Sequence, residues 1–418
     1  MRDDVELLIA GGGLNGLLLG IACAGGGLSV ALVDRQDPAA MLDSGFDGRS
    51  SAIAYGSQQA LEALGLWPLV AAEAEPIREI RVADDNAPFF LHYDHRELGP
   101  DLAQGGAPLG WIVENRVLRR ALIERARSLR SLTLLAPLAV EAVSVLAAAA
   151  QATLSDGQRV KSRLVAAADG VSSPLRRAAQ IRTVEWRYPQ TAIVTTVRHE
   201  HPHLGIAVEH FLPAGPFAIL PMTDDVTQAP GRRGRSSIVW TERDTLVPRL
   251  MALSDGEFAA ELAARFGDFL GHLEPVGPRW CYPVGLMLAE RYAGRRLVLV
   301  GEAAHLIHPI AGQGLNLGIR DVAALAELII DARRLGLDIG EDRLLRRYQE
   351  WRRLDTVMLA AVTDGLNRLF SNSFPPLRLA RDLGLAAVNR LPPLKRFLMR
   401  DAMGITGTLP RLLRGQKL

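Results

Sequence analysis

Cysteine and lysine are scarce in this sequence of 418 residues, and neither sign of charge is in large excess. The two cysteines, Cys23 and Cys281, form neither a disulfide framework nor a CxxC metal site, which favours a reducing, cytosolic environment. Lysine occurs only at positions 161, 395 and 417, so no P-loop lysine is available. A net charge of +2 does not favour nucleic acid as a partner.

One uncharged run, residues 7–33, has the length of a membrane span but not its pattern. It follows the acidic start MRDDVE, which is not typical of a signal peptide. Eight glycines divide the region into a strand (VELLIA), a turn, a helix (LNGLLLGIACAG) and a second strand (SVALVD). The pattern therefore predicts a buried β-α-β unit, in a chain long enough for two domains.

Gly11, Gly13 and Gly16 form a GxGxxG pattern at the turn between this first strand and the helix. Asp34 follows at the tip of the second strand, from which a carboxylate reaches a ribose hydroxyl. The glycines let the backbone approach a pyrophosphate, to which the helix N-terminus offers unpaired N–H groups and partial positive charge. The unit therefore predicts a site for an adenine dinucleotide, either FAD or NAD(P).

Two further motifs follow apolar strands later in the chain. RLVAAADGVSSPLRR (163–177) carries Asp169-Gly170 in a DGxxSxxR arrangement, and RRLVLVGEAAHLIHPIAGQGLNLGIRD (295–321) carries Gly301-Glu302 and then a glycine-rich stretch. With the GxGxxG, and in this order, these elements resemble the class A flavoprotein monooxygenases. The last motif is similar to their ubiquinone-biosynthesis hydroxylase branch, and the likeness covers essentially the whole chain.

The resemblance implies FAD as the cofactor and NAD(P)H as the co-substrate. In that family the GxGxxG binds the FAD pyrophosphate, the DG motif lies near FAD and the pyridine nucleotide, and a Gly-Asp carboxylate holds the ribitol. This chain has Glu302 in place of that Asp, and DGRSSAIAYGS (47–57) resembles the segment over the isoalloxazine. The cofactor residues so implied are Gly11, Gly13, Gly16, Asp34, Arg49, Asp169, Gly170, Gly301, Glu302, Gly312, Gln313, Gly314, Leu315 and Asn316.

The stretch HPIAGQGLN (308–316) also has a physical reason to lie at a flavin. Reduced flavin carries negative charge, and a glycine-rich loop leading into a helix N-terminus can aim several backbone N–H groups at it. Arg49, His308 and Pro309 are predicted beside the reacting part of the cofactor as catalytic residues. For His305 and His308, packing or hydrogen bonding is expected before any acid or base role.

A metal site is the alternative interpretation of part of this stretch. Glu302, His305 and His308 fall at i, i+3 and i+6, and a carboxylate with two imidazoles can bind a metal ion. That geometry needs a continuous helix, but Gly301 lies at a strand end and Pro309 follows directly. We therefore predict no metal.

The segments between the FAD-binding elements indicate a second unit. Residues 191–199, 205–213, 215–222 and 235–242 are β-rich runs with Pro/Gly turns, which predict an antiparallel sheet over the reactive side of the flavin. APGRRGR (229–235) predicts a mobile hairpin tip, and a long helical tract is expected from Asp321 to about residue 370. The predicted fold class is α/β, with a Rossmann-like FAD domain (1–75, 109–180 and 285–350), an inserted antiparallel β-sheet substrate domain (76–108 and 181–284) and C-terminal helices (351–418).

The resemblance implies hydroxylation of a polyprenylated phenol in ubiquinone biosynthesis, with NAD(P)H and O₂, through a flavin C4a-hydroperoxide. Substrate-pocket residues placed by resemblance are Phe217, Leu220, Pro221 and Tyr282. The alternatives are hydroxylation of another small aromatic, a flavin halogenase or prenyl reductase, and a non-catalytic lipid-binding protein like the GDP-dissociation inhibitors. The chain lacks the WxWxIP motif and the active-site lysine of halogenases, and its intact FAD motifs argue against a non-catalytic role.

The C-terminal segment, residues 378–418, carries nine Lys or Arg and two Asp, a net charge of +7. Apolar residues interleave with these cations, among them Leu394, Phe397, Met399, Leu412 and Leu413. The pattern predicts an amphipathic surface that attaches a cytoplasmic enzyme to the inner face of an anionic membrane, where lipophilic phenols reside. The alternatives are a solvated basic helix, a subunit contact in an oligomer, and a contact within a ubiquinone-biosynthesis complex.

Overall fold

The computed structural model describes residues 4–43, 48–84, 90–103, 106–229, 234–370, 388 and 390–418. The predicted hairpin tip at 229–235 lies mostly outside these residues, and so does the first part of the basic segment 378–418. None of the helices in the described ranges is long and apolar enough to cross a membrane.

The strands are, in chain order, β1 (Val5–Ala10), β2 (Val30–Val33), β3 (Ser50–Ala54), β4 (Ala74–Ile77), β5 (Glu79–Asp84), β6 (Phe90–Asp94), β7 (Gly110–Glu114), β8 (Leu132–Leu135), β9 (Val140–Val145), β10 (Ala150–Leu154), β11 (Arg159–Ala167), β12 (Thr183–His199), β13 (Ile206–Leu212), β14 (Gly215–Met222), β15 (Gly234–Arg243), β16 (Leu273–Ala289), β17 (Ala293–Gly294), β18 (Leu297–Leu299) and β19 (His305–Leu306). The helices are α1 (Leu14–Gly25), α2 (Tyr55–Ala63), α3 (Pro100–Ala103), α4 (Asn115–Arg127), α5 (Pro174–Ala178), α6 (Val247–Met251), α7 (Asp255–Phe266), α8 (Gly314–Arg334), α9 (Asp342–Phe370) and α10 (Pro392–Ala402).

The first sheet brings the three nucleotide-binding motifs to one edge. Its strand order is β17-β18-β11-β1-β2-β8, with β10 and β9 extending from β11. The pairs β1–β2, β1–β11, β2–β8 and β11–β18 are parallel. Such strands are buried on both faces, which explains uninterrupted apolar runs such as VALV in β2. Because parallel strands end at the same edge, the residues that follow β1, β2, β11 and β18 converge there.

The second sheet has the order β19-β16-β12-β15-β14-β13-β5-β6 and is antiparallel except for the β5–β13 pair. The four β-rich runs predicted from the sequence correspond to β12, β13, β14 and β15. Side chains alternate along these strands, so each strand contributes to both faces. One face packs under α6 and α7, through Trp240 and Phe258 among others. The first sheet with α1, α4 and α8 forms one packed layer set, the first unit, and the second sheet with α6 and α7 forms the second unit. The opposite face of the second sheet packs against the segment that leads into α8, including Ile307 and Ile310. A small third sheet, β3-β7-β4, lies beside this contact.

The helical tract predicted after Asp321 consists of two helices, α8 and α9. The chain turns between them through Gly336, which has a positive φ of 72° that few other residues adopt. Helix α9 runs without a break across the predicted domain boundary at 350–351. The division into domains therefore remains a prediction, although the strands of the second sheet fall within 76–108 and 181–284 apart from β19 and the end of β16.

One buried carboxylate joins the last motif of the first sheet to both of these helices. Asp321 of α8 is fully buried and accepts hydrogen bonds from Gly301 N at 3.1 Å and His305 Nε2 at 2.6 Å. Arg352 Nε of α9 donates a third, at 2.9 Å. Burial raises the pKa of Asp321, but the facing His305 and Arg352 outweigh it and hold that pKa below its ordinary value. The charged carboxylate thus fixes the turn after β18.

We expect Asp321→Ala to lower the free energy of unfolding by about 3–5 kcal/mol, because it leaves the buried guanidinium of Arg352 without this partner. Asp331→Ala on the same helix is the control, since that half-exposed carboxylate pairs with Arg411 at the surface and should cost under about 1 kcal/mol. Equilibrium unfolding in urea measures both variants. Equal losses would contradict the role assigned to Asp321.

Candidate active site

The glycines of the GxGxxG have two different reasons to be glycine. A Cβ at Gly11 would overlap Ala168 O, and a Cβ at Gly16 would overlap Gly11 O, so packing of α1 against the sheet requires both. A Cβ at Gly13 would meet none of the described atoms within 4 Å. Gly13 is the exposed N-cap residue of α1, where the first backbone N–H groups have no acceptor within the helix. This backbone is open to a ligand.

Asp34, at the end of β2, is held beside the same turn. Its Oδ2 accepts a hydrogen bond from Gly12 N, and its Oδ1 accepts one from Gln36 N at 2.7 Å. Each carboxylate oxygen can accept a further hydrogen bond. The geometry therefore fits a carboxylate that is oriented by the backbone and still able to bind a ribose hydroxyl.

Asp169, at the start of the DG motif, has one carboxylate oxygen that accepts a hydrogen bond and one that does not. Its Oδ2 accepts from Leu175 N at 3.3 Å, whereas its buried Oδ1 has no partner in the described part of the chain. Burial raises the pKa of this carboxyl, and the neighbouring Ser173 and Arg176 offset that effect only in part. Gly170 beside it has a φ of 84° and open space around its Cα. A buried acceptor without a partner is costly, which fits a bound group that completes it.

Arg176 connects the DG motif to the last motif. Its guanidinium is buried and donates to Val171 O at 2.6 Å and to Ala303 O at 2.8 Å. The motif DGxxSxxR thus supplies its own cross-link to the turn Gly301–Ala303 that follows β18. Glu302 lies in this turn with an exposed side chain, at the edge where the parallel strands end.

Asn15 is a site residue that the sequence analysis missed. A Cβ at Gly301 or at Gly318 would overlap the Asn15 side chain, so both glycines are needed to admit it. Asn15 Oδ1 is buried and lacks a hydrogen-bond partner among the described residues. The side chain therefore packs the start of α1 against the last motif. The only signal in the sequence was the presence of Gly301 and Gly318, and nothing in their spacing relates them to Asn15.

The stretch that begins with His308 leads into the N-terminus of α8. Gly312 N is already bonded to Pro309 O at 3.0 Å, and Leu317 N to Gln313 O at 3.0 Å. Between them, the N–H groups of the first helical turn have no acceptor within the helix. A Cβ at Gly314 would meet no described atom within 4 Å. The backbone of 314–316 is thus the part of the predicted loop that is open to a ligand.

Two predicted cofactor residues use their side chains to hold neighbouring segments. Asn316 accepts from Ala54 N and donates to Ala52 O, both at 2.9 Å, which fixes β3 beside the loop. Gln313 Nε2 donates to Ala402 O at the end of α10, at 3.3 Å. The Asn316 amide is thus engaged by the protein itself, and a ligand contact of this residue would be made by its backbone.

Arg49 and Tyr282, predicted separately as a flavin-side and a substrate-side residue, meet in the structure. The Arg49 guanidinium carbon lies 4.9 Å from the centre of the Tyr282 ring, within the range of a cation–π contact. The contact connects the segment before β3 to β16 of the second sheet.

His308 is fully buried and packs edge-on against Tyr188, with ring centres 5.2 Å apart. Burial lowers its pKa to about 4, so the ring is neutral at pH 7. Its Nδ1 accepts from Ile310 N at 3.3 Å, and its Nε2 has no partner in the described part of the chain. His305 is engaged with Asp321, which agrees with a packing and hydrogen-bonding role for both rings.

Two of the predicted substrate residues lie on the wrong face of the second sheet. Phe217 is fully buried against Trp240 and Phe266 under the helices α6 and α7. Pro221 has the same parity along β14 and therefore points to that side as well. Leu220 packs on the opposite face, toward the first unit. The prediction took neighbouring residues together, whereas strand alternation separates them.

Comparison with known proteins agrees with this geometry. A family model described as FAD binding domain matches residues 4–360. The ubiquinone hydroxylase UbiL of Rhodospirillum rubrum is 52% identical over 99% of this chain and 93% of its own length. The 3-demethoxyubiquinol 3-hydroxylase of Escherichia coli is 33% identical over 97% of this chain and 100% of its own.

Solved structures show the same fold. The p-nitrophenol 4-monooxygenase PnpA of Pseudomonas putida superposes with a TM-score of 0.78 at 19% identity, covering 97% of this chain and 99% of that one. The flavin-dependent halogenase CmlS matches with a TM-score of 0.67 at 18% identity, over 85% of this chain and 63% of that one. Since the family model spans most of the chain and hydroxylases align with nearly all of it, this chain belongs to the FAD binding domain family of flavin-dependent hydroxylases.

Proposed function

We propose that this protein is an FAD-dependent monooxygenase that hydroxylates the aromatic ring of a polyprenylated phenol in ubiquinone biosynthesis. NAD(P)H is the reductant and O₂ the second co-substrate. The observation that carries the proposal is the 52% identity to a ubiquinone hydroxylase over almost the whole chain. The three motifs that converge at one edge of the first sheet support it, since they leave open backbone where a dinucleotide would bind.

The residues of this chain fit FAD at several separate points. The N–H groups that follow Gly13 would bind the pyrophosphate, and Asp34 would accept a hydrogen bond from a ribose hydroxyl. Asp169 Oδ1 is an acceptor to which a bound group would donate. Glu302 would bind the ribitol, and the N–H groups of 314–316 would face the flavin ring. Arg49 remains a proposed neighbour of the ring, through its contact with Tyr282.

FAD would supply the redox chemistry when bound: it would take electrons from NAD(P)H and activate O₂ for attack on the substrate ring. The protein orients the ring and keeps water away from the space between the two units. The second sheet turns apolar side chains toward this space: Phe211 packs on Ile310 and Phe370, and Leu220 lies in a cluster with Ala207 and Met222. His308, neutral and buried, shapes the same wall without supplying a proton at pH 7.

Deletion of the gene in its host tests the proposed function. We expect loss of ubiquinone and accumulation of a polyprenylated phenol that lacks one ring hydroxyl, identified by mass spectrometry. The wild-type gene should restore the quinone. Normal ubiquinone in the deletion strain, without an accumulated phenol, would contradict the substrate assignment. A purified protein that carries no flavin would contradict the enzymatic one.

Gly314→Val tests the flavin loop. We expect FAD affinity to fall about tenfold or more, because the branched side chain fills the space where backbone approaches the flavin, a penalty of about 1–3 kcal/mol. The protein itself offers no clash at this position. Gly365→Val in α9 is the matched control, a helical glycine that also has open space around it. Flavin titration and thermal unfolding report both variants, and unchanged FAD affinity in Gly314→Val would remove the loop from the site.

We also infer that the outward face of α10 attaches the enzyme to membranes. Leu391, Leu394 and Phe397 are between 41% and 58% exposed and follow each other at helical spacing, with Arg396 exposed beside them. Met399, Leu412 and Leu413, which the sequence analysis assigned to the same amphipathic surface, are instead buried in the protein. The apolar surface is therefore narrower than predicted, and deleting the whole tail would remove core residues.

A double variant, Leu394→Ser with Phe397→Ser, tests this surface. We expect wild-type protein to sediment with anionic liposomes in low salt and to be released by high salt, since each cation near the surface contributes about 1 kcal/mol. The double variant should remain in the supernatant. Leu335→Ser, at an exposed leucine after α8, is the control and should bind normally. Equal binding of the wild type to neutral and anionic liposomes, or to neither, would contradict membrane attachment.

A further inference from the structure

Strand β13 contributes one side chain between two contacts of the second sheet with the first unit. Ala207, Glu209 and Phe211 alternate on the face turned away from α6 and α7. Ala207 packs in a cluster with Ala52 and other residues of the small third sheet. Phe211 packs against Ile310, in the turn that precedes α8. Glu209 lies between these two points on the same face.

The two contacts locate what lies opposite Glu209. The position of a Cβ at Gly312 is 3.0 Å from Ala52 Cβ, and Asn316 Nδ2 bonds Ala52 O at 2.9 Å. Strand β3 and the loop before α8 therefore meet directly across from this part of β13. The backbone proposed to face the flavin, residues 314–316, follows this meeting point directly along the chain. Glu209 therefore lies on the side of β13 that is turned toward the proposed flavin site.

The surroundings of Glu209 are apolar. Its neighbours in the sheet are Val82 of β5 and Ala218 of β14. No hydrogen bond or ion pair holds its carboxyl within the described part of the chain. Burial alone raises the pKa of Glu209 to about 7. Glu209 is partly exposed, so its carboxyl keeps part of its hydration, and a bound ligand that donates a hydrogen bond would replace the part that burial removes.

Charged groups on the elements around Glu209 are engaged elsewhere or neutral. Asp84 of β5 is paired with Phe211, two residues beyond Glu209 on the same face of the sheet. Arg235 of β15, beyond β14, forms an ion pair with Glu114 at 3.0 Å. His308, before the loop, is neutral at pH 7. Strand β14 offers only apolar side chains on this face, among them Ala218 and Leu220.

We propose that Glu209 is a catalytic residue that accepts a hydrogen bond from the phenol hydroxyl and takes its proton as the ring is hydroxylated. The inference rests on the proposed function, because it requires a phenol as the substrate. The phenol O–H bond breaks, an O–H bond forms on the carboxylate, and the electron pair stays on the phenol oxygen. This pair enriches the ring carbons that the activated oxygen attacks. The carboxyl then releases its proton to solvent, and no further oxidant or reductant is involved.

Equilibrium binding to the holoenzyme tests the proposal independently of turnover. The probes are a phenol with one isoprenyl unit and the methyl ether of the same compound, followed by the change in flavin absorbance. We expect the affinity for the phenol to rise about tenfold as pH increases through 7, because the carboxylate is the stronger acceptor. The methyl ether has no proton to donate and should show no such rise. Glu209→Gln should remove the pH dependence for the phenol.

Turnover supplies the second measurement. Loss of a general base lowers kcat by about a hundredfold or more, and we expect this in Glu209→Gln with little change in KM. Its pH profile should lose the limb near 7 that the wild type shows. Glu242→Gln is the matched control, a buried glutamate on β15 that points to the helix-covered face and should keep wild-type kinetics.

Glu209→Asp keeps a carboxyl one methylene shorter, and it decides the question if the Gln variant does not retain flavin. We expect this variant to keep the pH dependence of phenol binding with a reduced kcat. The role of Glu209 would be overturned if phenol binding kept its pH dependence in Glu209→Gln, or if the wild type showed none. A wild type that binds the phenol with this pH dependence but does not hydroxylate it would instead contradict the proposed function.

Discussion

The carboxylate of Asp321 is the constraint on which the arrangement of the site depends. It binds Gly301 N, His305 and Arg352 at once, and so fixes the end of the first sheet to the two long helices that follow the last motif. A single buried charge with three donors has one low-energy geometry, whereas apolar contacts alone allow sliding. The acidic residue that ends the glycine-rich motif is thus a structural anchor rather than a ligand. Its position explains how a glycine-rich loop, whose backbone is intrinsically flexible, can be held in one conformation.

The glycines divide by what an added carbon would meet. Gly11, Gly16, Gly301 and Gly318 are required by the protein itself, because a Cβ would strike backbone or the Asn15 side chain. Gly13 and Gly314 have open space, so nothing in the described protein explains the absence of a side chain there. Both begin a helix, where unpaired N–H groups accumulate. The first group of glycines allows the segments of the site to pack together, and the second leaves backbone N–H groups accessible to the cofactor.

Local features of the site were predictable from the sequence, and contacts between distant segments were not. The β-α-β unit, the DG turn and the strands β12–β15 follow from short patterns of apolar residues and glycines. The contact of Asn15 with Gly301 and Gly318, and the bond from Arg176 to Ala303 O, join residues far apart in the chain. The predicted helical tract did not say where one helix ends and the next begins, and Gly336, with its positive φ, marks that point in the structure. The prediction that Phe217 contacts the substrate was wrong, because the sequence alone did not show which face of β14 this side chain occupies.

Satisfied and unsatisfied polar groups mark different parts of the same interior. Asp321 is deeply buried and fully partnered, which is the condition under which a charge stabilises a fold. Asp169 Oδ1 and the Glu209 carboxyl lie in apolar or buried surroundings without such partners. Folding alone does not favour that arrangement, because Asp169 Oδ1 loses its hydration, the partly exposed Glu209 carboxyl loses some of it, and neither gains a donor. Bound ligands that donate hydrogen bonds would offset the lost hydration. A cofactor molecule would donate to Asp169, and a substrate molecule between the first sheet and the second would donate to Glu209. The apolar wall that keeps water from that space is also what holds the pKa of Glu209 near 7, so exclusion of water and readiness to take a proton have one physical cause.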